Sequence, residues 1–131
     1  MREVALLFNV KDKVQIEAIK AAFYLVKVPI RVVPKERYGA TLREMAKDVF
    51  KEPPDETQKQ ELDGQMIVFV DLLERKLYKV VDLMHNDPRC GSSLYKAILT
   101  KTNQKWNAFT LLEELKKEHA AMHRKSEKEQ K

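Results

Sequence analysis

The chain has 131 residues, 44% apolar and 34% charged, which is about one domain's worth of soluble globular composition. No apolar run reaches the ~18–20 residues that cross a bilayer, so a membrane-spanning helix is excluded, and the length excludes a two-domain dehydrogenase or kinase. The net charge of +5 comes from 25 basic and 20 acidic residues that are well mixed, whereas nucleic-acid binders gather positive charge on one face.

The run Val4-Ala-Leu-Leu-Phe8 is short, continuous and apolar, the pattern of a strand covered on both faces. The residues around it do not read as a signal peptide. Asp12-x-x-Gln15 then reads as a capping box opening a helix whose apolar face is Ile16, Ile19, Phe23 and Val26. Pro29 ends that helix, and Ile30 to Val33 reads as a second strand closed by Pro34. After Gly39, Thr41-x-x-Glu44 opens a second helix with the stripe Leu42, Met45, Val49 and Phe50. Residues 51–65, polar and carrying Pro53-Pro54 and Gly64, read as a linker.

Met66-Ile-Val-Phe-Val70 is a second buried-type strand run. Asp71-x-x-Glu74 predicts a third capped helix, lined by Leu77, Val80, Val81 and Met84. His85 to Ser93 is a loop around Asp87-Pro88 and Gly91, and Leu94 to Leu99 reads as the fourth strand. Thr110-x-x-Glu113 opens the last helix, with Leu111, Leu112, Leu115, His119 and Met122 on its face. The polar tail 124–131 is expected to fray.

The fold class expected is therefore α/β: a single domain over 1–131, with one four-stranded, mostly parallel sheet and helices on both faces. It is built from two strand–helix–strand–helix units, with pseudo-repeat halves 1–50 and 66–123. The simplest strand order is 2-1-3-4, and a ferredoxin-like sandwich is the structural alternative. Phe8, Val32, Val68 and Ile98 are expected between the helix layers.

In such sheets ligands sit beyond the carboxyl ends of the strands. That edge would carry Asn9, Lys11 and Asp71, although Asp71 is equally a helix N-cap and Asn9 a turn residue. A second candidate is Thr100-Lys101-Thr102-Asn103, which hydroxyls, amide and ammonium suit to a phosphate or carboxylate. Its plainer reading is a polar loop held by Asn103 and anchored by a largely buried Trp106. Lys11, Lys35, Arg37 and Lys101 all follow strands, so a parallel sheet would gather them into one positive edge. No glycine-rich phosphate loop is present, and no cofactor is expected. His119 and His123 have a metal-compatible spacing, but a third ligand is lacking, so no metal is expected. Cys90 beside Arg89 invites a nucleophile reading. A bare loop cysteine accounts for it better.

The run Ala97-Ile-Leu-Thr-Lys-Thr-Asn-Gln-Lys-Trp106, followed by Leu111-Leu-Glu-Glu-Leu115 and Glu118-His119, resembles a family of small bacterial domains of unknown function. The resemblance covers about residues 66–123. A proline commonly stands in that family where this chain has Lys101. It implies a bacterial, cytoplasmic protein, which the single cysteine also suits, and it brings no reaction, cofactor or functional residue. The function expected is a binding or interaction module without catalytic activity. The alternative is an enzyme or sensor for a small anionic ligand at the strand carboxyl ends. A homo-oligomer joined through an outer strand or the last helix is the third class.

Overall fold

The four apolar runs form one sheet in the order β2-β1-β3-β4, with strands β1 Val4–Phe8, β2 Ile30–Val32, β3 Gln65–Val70 and β4 Leu94–Ile98. The architecture comes from a computed structural model that describes residues 1–129, with side-chain surroundings through residue 122. Four α-helices accompany the strands among these residues: α1 Lys13–Val26, α2 Leu42–Lys47, α3 Glu74–His85 and α4 Ala108–Glu129. The helix α4 runs on through residues 124–129, where fraying was expected.

The strand order matches expectation, but the sheet is mixed rather than mostly parallel. β1 pairs parallel with β2, and β3 with β4, yet the central pair β1·β3 is antiparallel, with Val4 opposite Val70 and Phe8 opposite Met66. The reason lies in helix length. α1 and α3, at 14 and 12 residues, are each about 18–21 Å long and carry the chain back along a strand of about 16 Å. α2 stops after six residues, where Asp48 turns left-handed at φ 56°. At about 9 Å it cannot make that return. The chain stays at the end where β2 finished, and β3 starts from there.

Residues 51–65, which carry the chain from α2 to β3, are tied to the rest of the fold. Leu62 is buried in the core, Asp55 N–H donates to the Glu36 carbonyl at 3.0 Å, and Arg37 donates to the Glu52 carbonyl at 2.9 Å. The Arg37 guanidinium also stands 3.8 Å over the Phe50 ring.

Strand alternation divides the core into two layers. Val4, Leu6, Phe8, Met66, Val68 and Val70 face α2 and α4, meeting Leu42, Met45, Leu111 and Leu112. Ala5, Leu7, Ile67 and Phe69 face α1 and α3, meeting Ile19, Phe23, Val80 and Met84. Both layers draw on both halves of the chain. α1 and α3 sit side by side over the central strands and cover the outer ones only in part on that face: Leu94 is buried there and Ile30 packs against it. Phe8 and Val68 are fully buried as expected, but Val32 and Ile98 are 47% and 51% exposed.

Of the four predicted helix starts, the one at Thr41 forms as read and the one at Asp12 in part. Asp12 accepts from Gln15 N–H at 2.9 Å, and Thr41 with Glu44 makes a reciprocal capping box. The Gln15 side chain turns inward instead, exchanging hydrogen bonds with Gln65 and donating to the Cys90 carbonyl at 2.9 Å. Gly91, at φ 93°, passes so close that a Cβ there would lie 2.6 Å from Gln15 Nε2. Asp71 does not cap α3. The helix begins at Glu74, and the Leu73 N–H before it is met by the Glu3 carboxylate at 3.2 Å, which also accepts from Lys76 Nζ at 2.8 Å. α4 begins at Ala108, and Asn107 rather than Thr110 supplies the cap, accepting from Thr110 N–H at 2.9 Å.

Candidate functional site

The antiparallel centre sends the carboxyl ends of β1 and β2 to one end of the sheet and those of β3 and β4 to the other. Asn9, Lys11 and Lys35 therefore lie at the first end, and Asp71, Thr100, Lys101, Thr102 and Asn103 at the second. The single positive edge expected from Lys11, Lys35, Arg37 and Lys101 does not form.

Each cluster also has structural work. Asn9 is left-handed at φ 59°, a conformation asparagine tolerates. Its amide donates to the carbonyls of Leu62 and Gly64, both at 3.0 Å, tying the start of β3 beside the end of β1. Lys11 and Lys35 converge on one carboxylate, Glu61, at 3.4 and 2.7 Å. The hydrogen bond from Lys35, then the charge of Lys11, hold the Glu61 carboxyl below its ordinary value of 4.5. Asp71, exposed and at φ 55°, turns the chain after β3 as Asn9 does after β1.

At the second end Asn103 is 8% exposed and fully used. Its Oδ1 accepts from Thr100 N–H at 2.8 Å, its Nδ2 donates to the Ile98 carbonyl at 2.9 Å, and its N–H donates to Thr100 Oγ1 at 3.0 Å. Thr100, Lys101 and Thr102 are exposed. Trp106 is mostly but not fully buried, packing its ring on the α2/α4 layer. Its carbonyl accepts from Leu42 N–H at 2.9 Å.

What sequence reasoning missed is a groove along the outer edge of β4. A cavity of about 670 Å³ lies there between α3, through Leu77, Tyr78 and Val81, and α4, through Leu111, Glu114, Leu115 and Glu118. Its floor is Lys96, Ala97 and Ile98, and Thr100, Thr102, Asn103 and Trp106 close one end. A second cavity of about 540 Å³ continues it past Ser92, Leu94, His119 and Met122, sharing Lys96, Leu115 and Glu118. The two make one trough the length of β4. Ile98, Tyr78 and Met122 stand exposed along it, at 51%, 66% and 72%. The Tyr78 hydroxyl donates to Glu74 at 3.1 Å, a bond that pushes its own ionisation up.

The remaining candidates fall outside the trough or have other partners. Cys90 is 1% exposed and burial pushes its thiol up, opposite to what a nucleophile needs. His119 is exposed, not a core residue, and meets the Tyr95 ring edge-on with centroids 6.0 Å apart. The side chain of His123 lies outside the described residues, and among those described no group of His, Cys, Asp and Glu is placed to hold a metal. Nor is any described helix long and apolar enough to cross a membrane.

Residues 65–122 match a family described as Domain of unknown function (DUF3783). That span is just under half of the chain. It takes in β3, α3, β4 and the start of α4, and so every residue named in the trough. No curated protein and no solved structure matches the chain.

Proposed function

We propose that this protein is a binding module without catalytic activity, and that the trough along β4 is where it holds an extended segment of another polypeptide. The observation that carries the reading is an edge strand that no neighbouring strand covers, set between two half-apolar helix walls. Main-chain pairing supplies affinity in such an arrangement, and alternate side-chain pockets supply specificity. The small-anion alternative has less to stand on, since its lysines are divided between the two ends of the sheet and two of them already share Glu61. We read residues 1–131 as one domain, because both core layers use both halves. A bacterial cytoplasm is the setting proposed with it, in keeping with a lone, buried cysteine.

Selection of a displayed random-peptide library on the immobilised protein tests this, with amide shift mapping of the enriched peptides. Enrichment on wild type and not on an Ile98→Asp/Tyr78→Asp variant, with shifts at Lys96, Ile98 and Trp106, is the expected result. Equal enrichment on both, or shifts centred on Lys11 and Lys35, overturns it.

A further inference from the structure

Leu99 N–H donates inward to the Phe69 carbonyl at 2.9 Å. By strand alternation the N–H and C=O groups of Leu94, Lys96 and Ile98 point away from β3, into the trough. Two of them are taken: the Ile98 carbonyl accepts from Asn103 Nδ2 at 2.9 Å, and the Leu94 carbonyl from the ammonium on the flexible Lys96 side chain at 3.4 Å. A strand added to β4 can therefore pair from Leu94 as far as the Ile98 N–H, and there Asn103 stops it. Its side chains would alternate between the two walls. Towards α3 they would meet Leu77, Val81 and Ile98. Towards α4 they would meet Glu114 and Glu118, one helical turn apart on the lip.

Two carboxylates, Glu114 and Glu118, thus stand on the α4 lip where an added strand would lie, with Lys117 3.4 Å from Glu114 and Lys96 on the floor. A second copy fits the edge poorly, because two-fold pairing about the middle of β4 sets Lys96 against its own counterpart. We infer that the occupant is an extended segment of a different protein in which apolar residues alternate with Lys or Arg, added as a fifth strand whose end is set by Asn103. This rests on the reading of the trough as the binding surface and goes beyond it in naming the chemistry of the partner.

Three acetylated octapeptides test it: alternating valine and lysine, alternating valine and glutamate, and the valine–lysine peptide N-methylated at every second residue. Trp106, the single tryptophan, reports occupancy through its fluorescence. The valine–lysine peptide should bind saturably, the glutamate peptide about tenfold or more weaker, and the N-methylated peptide not at all. Glu114→Lys/Glu118→Lys should reverse the charge preference. Ile98→Pro removes an N–H the sheet does not use and should abolish binding. Should that variant misfold, the N-methylated peptide still decides the point.

Lack of binding by the valine–lysine peptide, equal binding of both charges, or an unchanged preference in the Glu114→Lys/Glu118→Lys variant overturns the inference. Library peptides that still map to the trough would leave the binding surface standing. Binding of the N-methylated peptide as tight as its parent overturns strand addition. Sedimentation showing self-association that Ile98→Pro removes would assign the edge to a second copy, and overturns the inference also.

Discussion

β2 and β4 are the two outer strands of one sheet, and each leaves a bare apolar residue on the α1/α3 face, Val32 and Ile98. Their surroundings differ. β2 has three residues, stands between Pro29 and Pro34, and sends Arg31 across to the Met45 and Ala46 carbonyls at the end of α2. Short length and flanking prolines are the ordinary ways a sheet edge is closed to strangers. β4 has five residues, no proline, and a helix wall on each side. Its protection is confined to Asn103 at one end and to the Lys96 ammonium, 3.4 Å from the Leu94 carbonyl. Equivalent positions in a sheet are therefore not equivalent surfaces. One edge is finished, and the other is bounded but open.

The largest effect expected on this contrast is at Asn103. Asn103→Ala orphans the Thr100 N–H and the Ile98 carbonyl and should cost about 2–3 kcal/mol in urea unfolding. A loss under about 0.5 kcal/mol would mean the residue does not close the β4 edge. Trp106→Ala should cost about 2 kcal/mol, less than a fully buried tryptophan would, because part of its surface stays in water. At the other edge Arg31→Ala removes a charged donor from two carbonyls, and about 1–2 kcal/mol is expected. A smaller loss there than at an exposed lysine control would remove the claim that Arg31 finishes the β2 edge.

The sharpest comparison has the smallest effect on stability. Val32→Lys and Ile98→Lys replace equally exposed side chains, and each should change unfolding free energy by no more than about 0.5 kcal/mol. Only Ile98→Lys should weaken peptide binding. Parallel loss in both would dissolve the distinction between the edges. A pH series adds a direction. The Glu3 carboxyl is held below its ordinary 4.5, first by the Lys76 hydrogen bond and then by the Leu73 amide. Its contribution is thus complete above pH 4.5 and is lost as pH falls through the lowered folded value. Glu3→Gln should be less stable than wild type at pH 7 and should lose less on acidification below 4.5. A variant whose acid limb parallels that of wild type would show that α3 does not depend on this distant carboxylate.

Much of the fold was legible because its signals are local. Val4–Phe8 and Met66–Val70 stand out as unbroken apolar runs, and they lie in the two central, doubly covered strands. Asp12 and Thr41 cap their helices through residues three positions on. The misreadings fall where a partner comes from far along the chain. Asp71 has the spacing of a cap, yet α3 starts only after Leu73, whose N–H is met by Glu3 from 70 residues away. Gln15 has the spacing of a box partner, yet a buried amide pair with Gln65 holds it. Of the eight candidate ligand residues, Thr100, Thr102 and Asn103 line the trough, and Asn103 does so as a brace rather than a ligand group. Nothing in the pattern of Leu94–Ile98 marks a groove, because a groove is made by what two helices leave uncovered.

By itself the sequence determined the four strands and the helices between them, since periodicity and capping act over a few residues. It determined as well that β2 would be short, from Pro29 and Pro34. Only the tertiary structure decided that β1 and β3 run in opposite directions. That turns on a six-residue α2 too short to bring the chain back, and on Asn9 fastening Leu62 and Gly64 at the same end. The direction of one strand then divided the lysines between opposite ends of the sheet and left β4 as the open edge. Strand direction is set by where a connection ends in space, which no local spacing records.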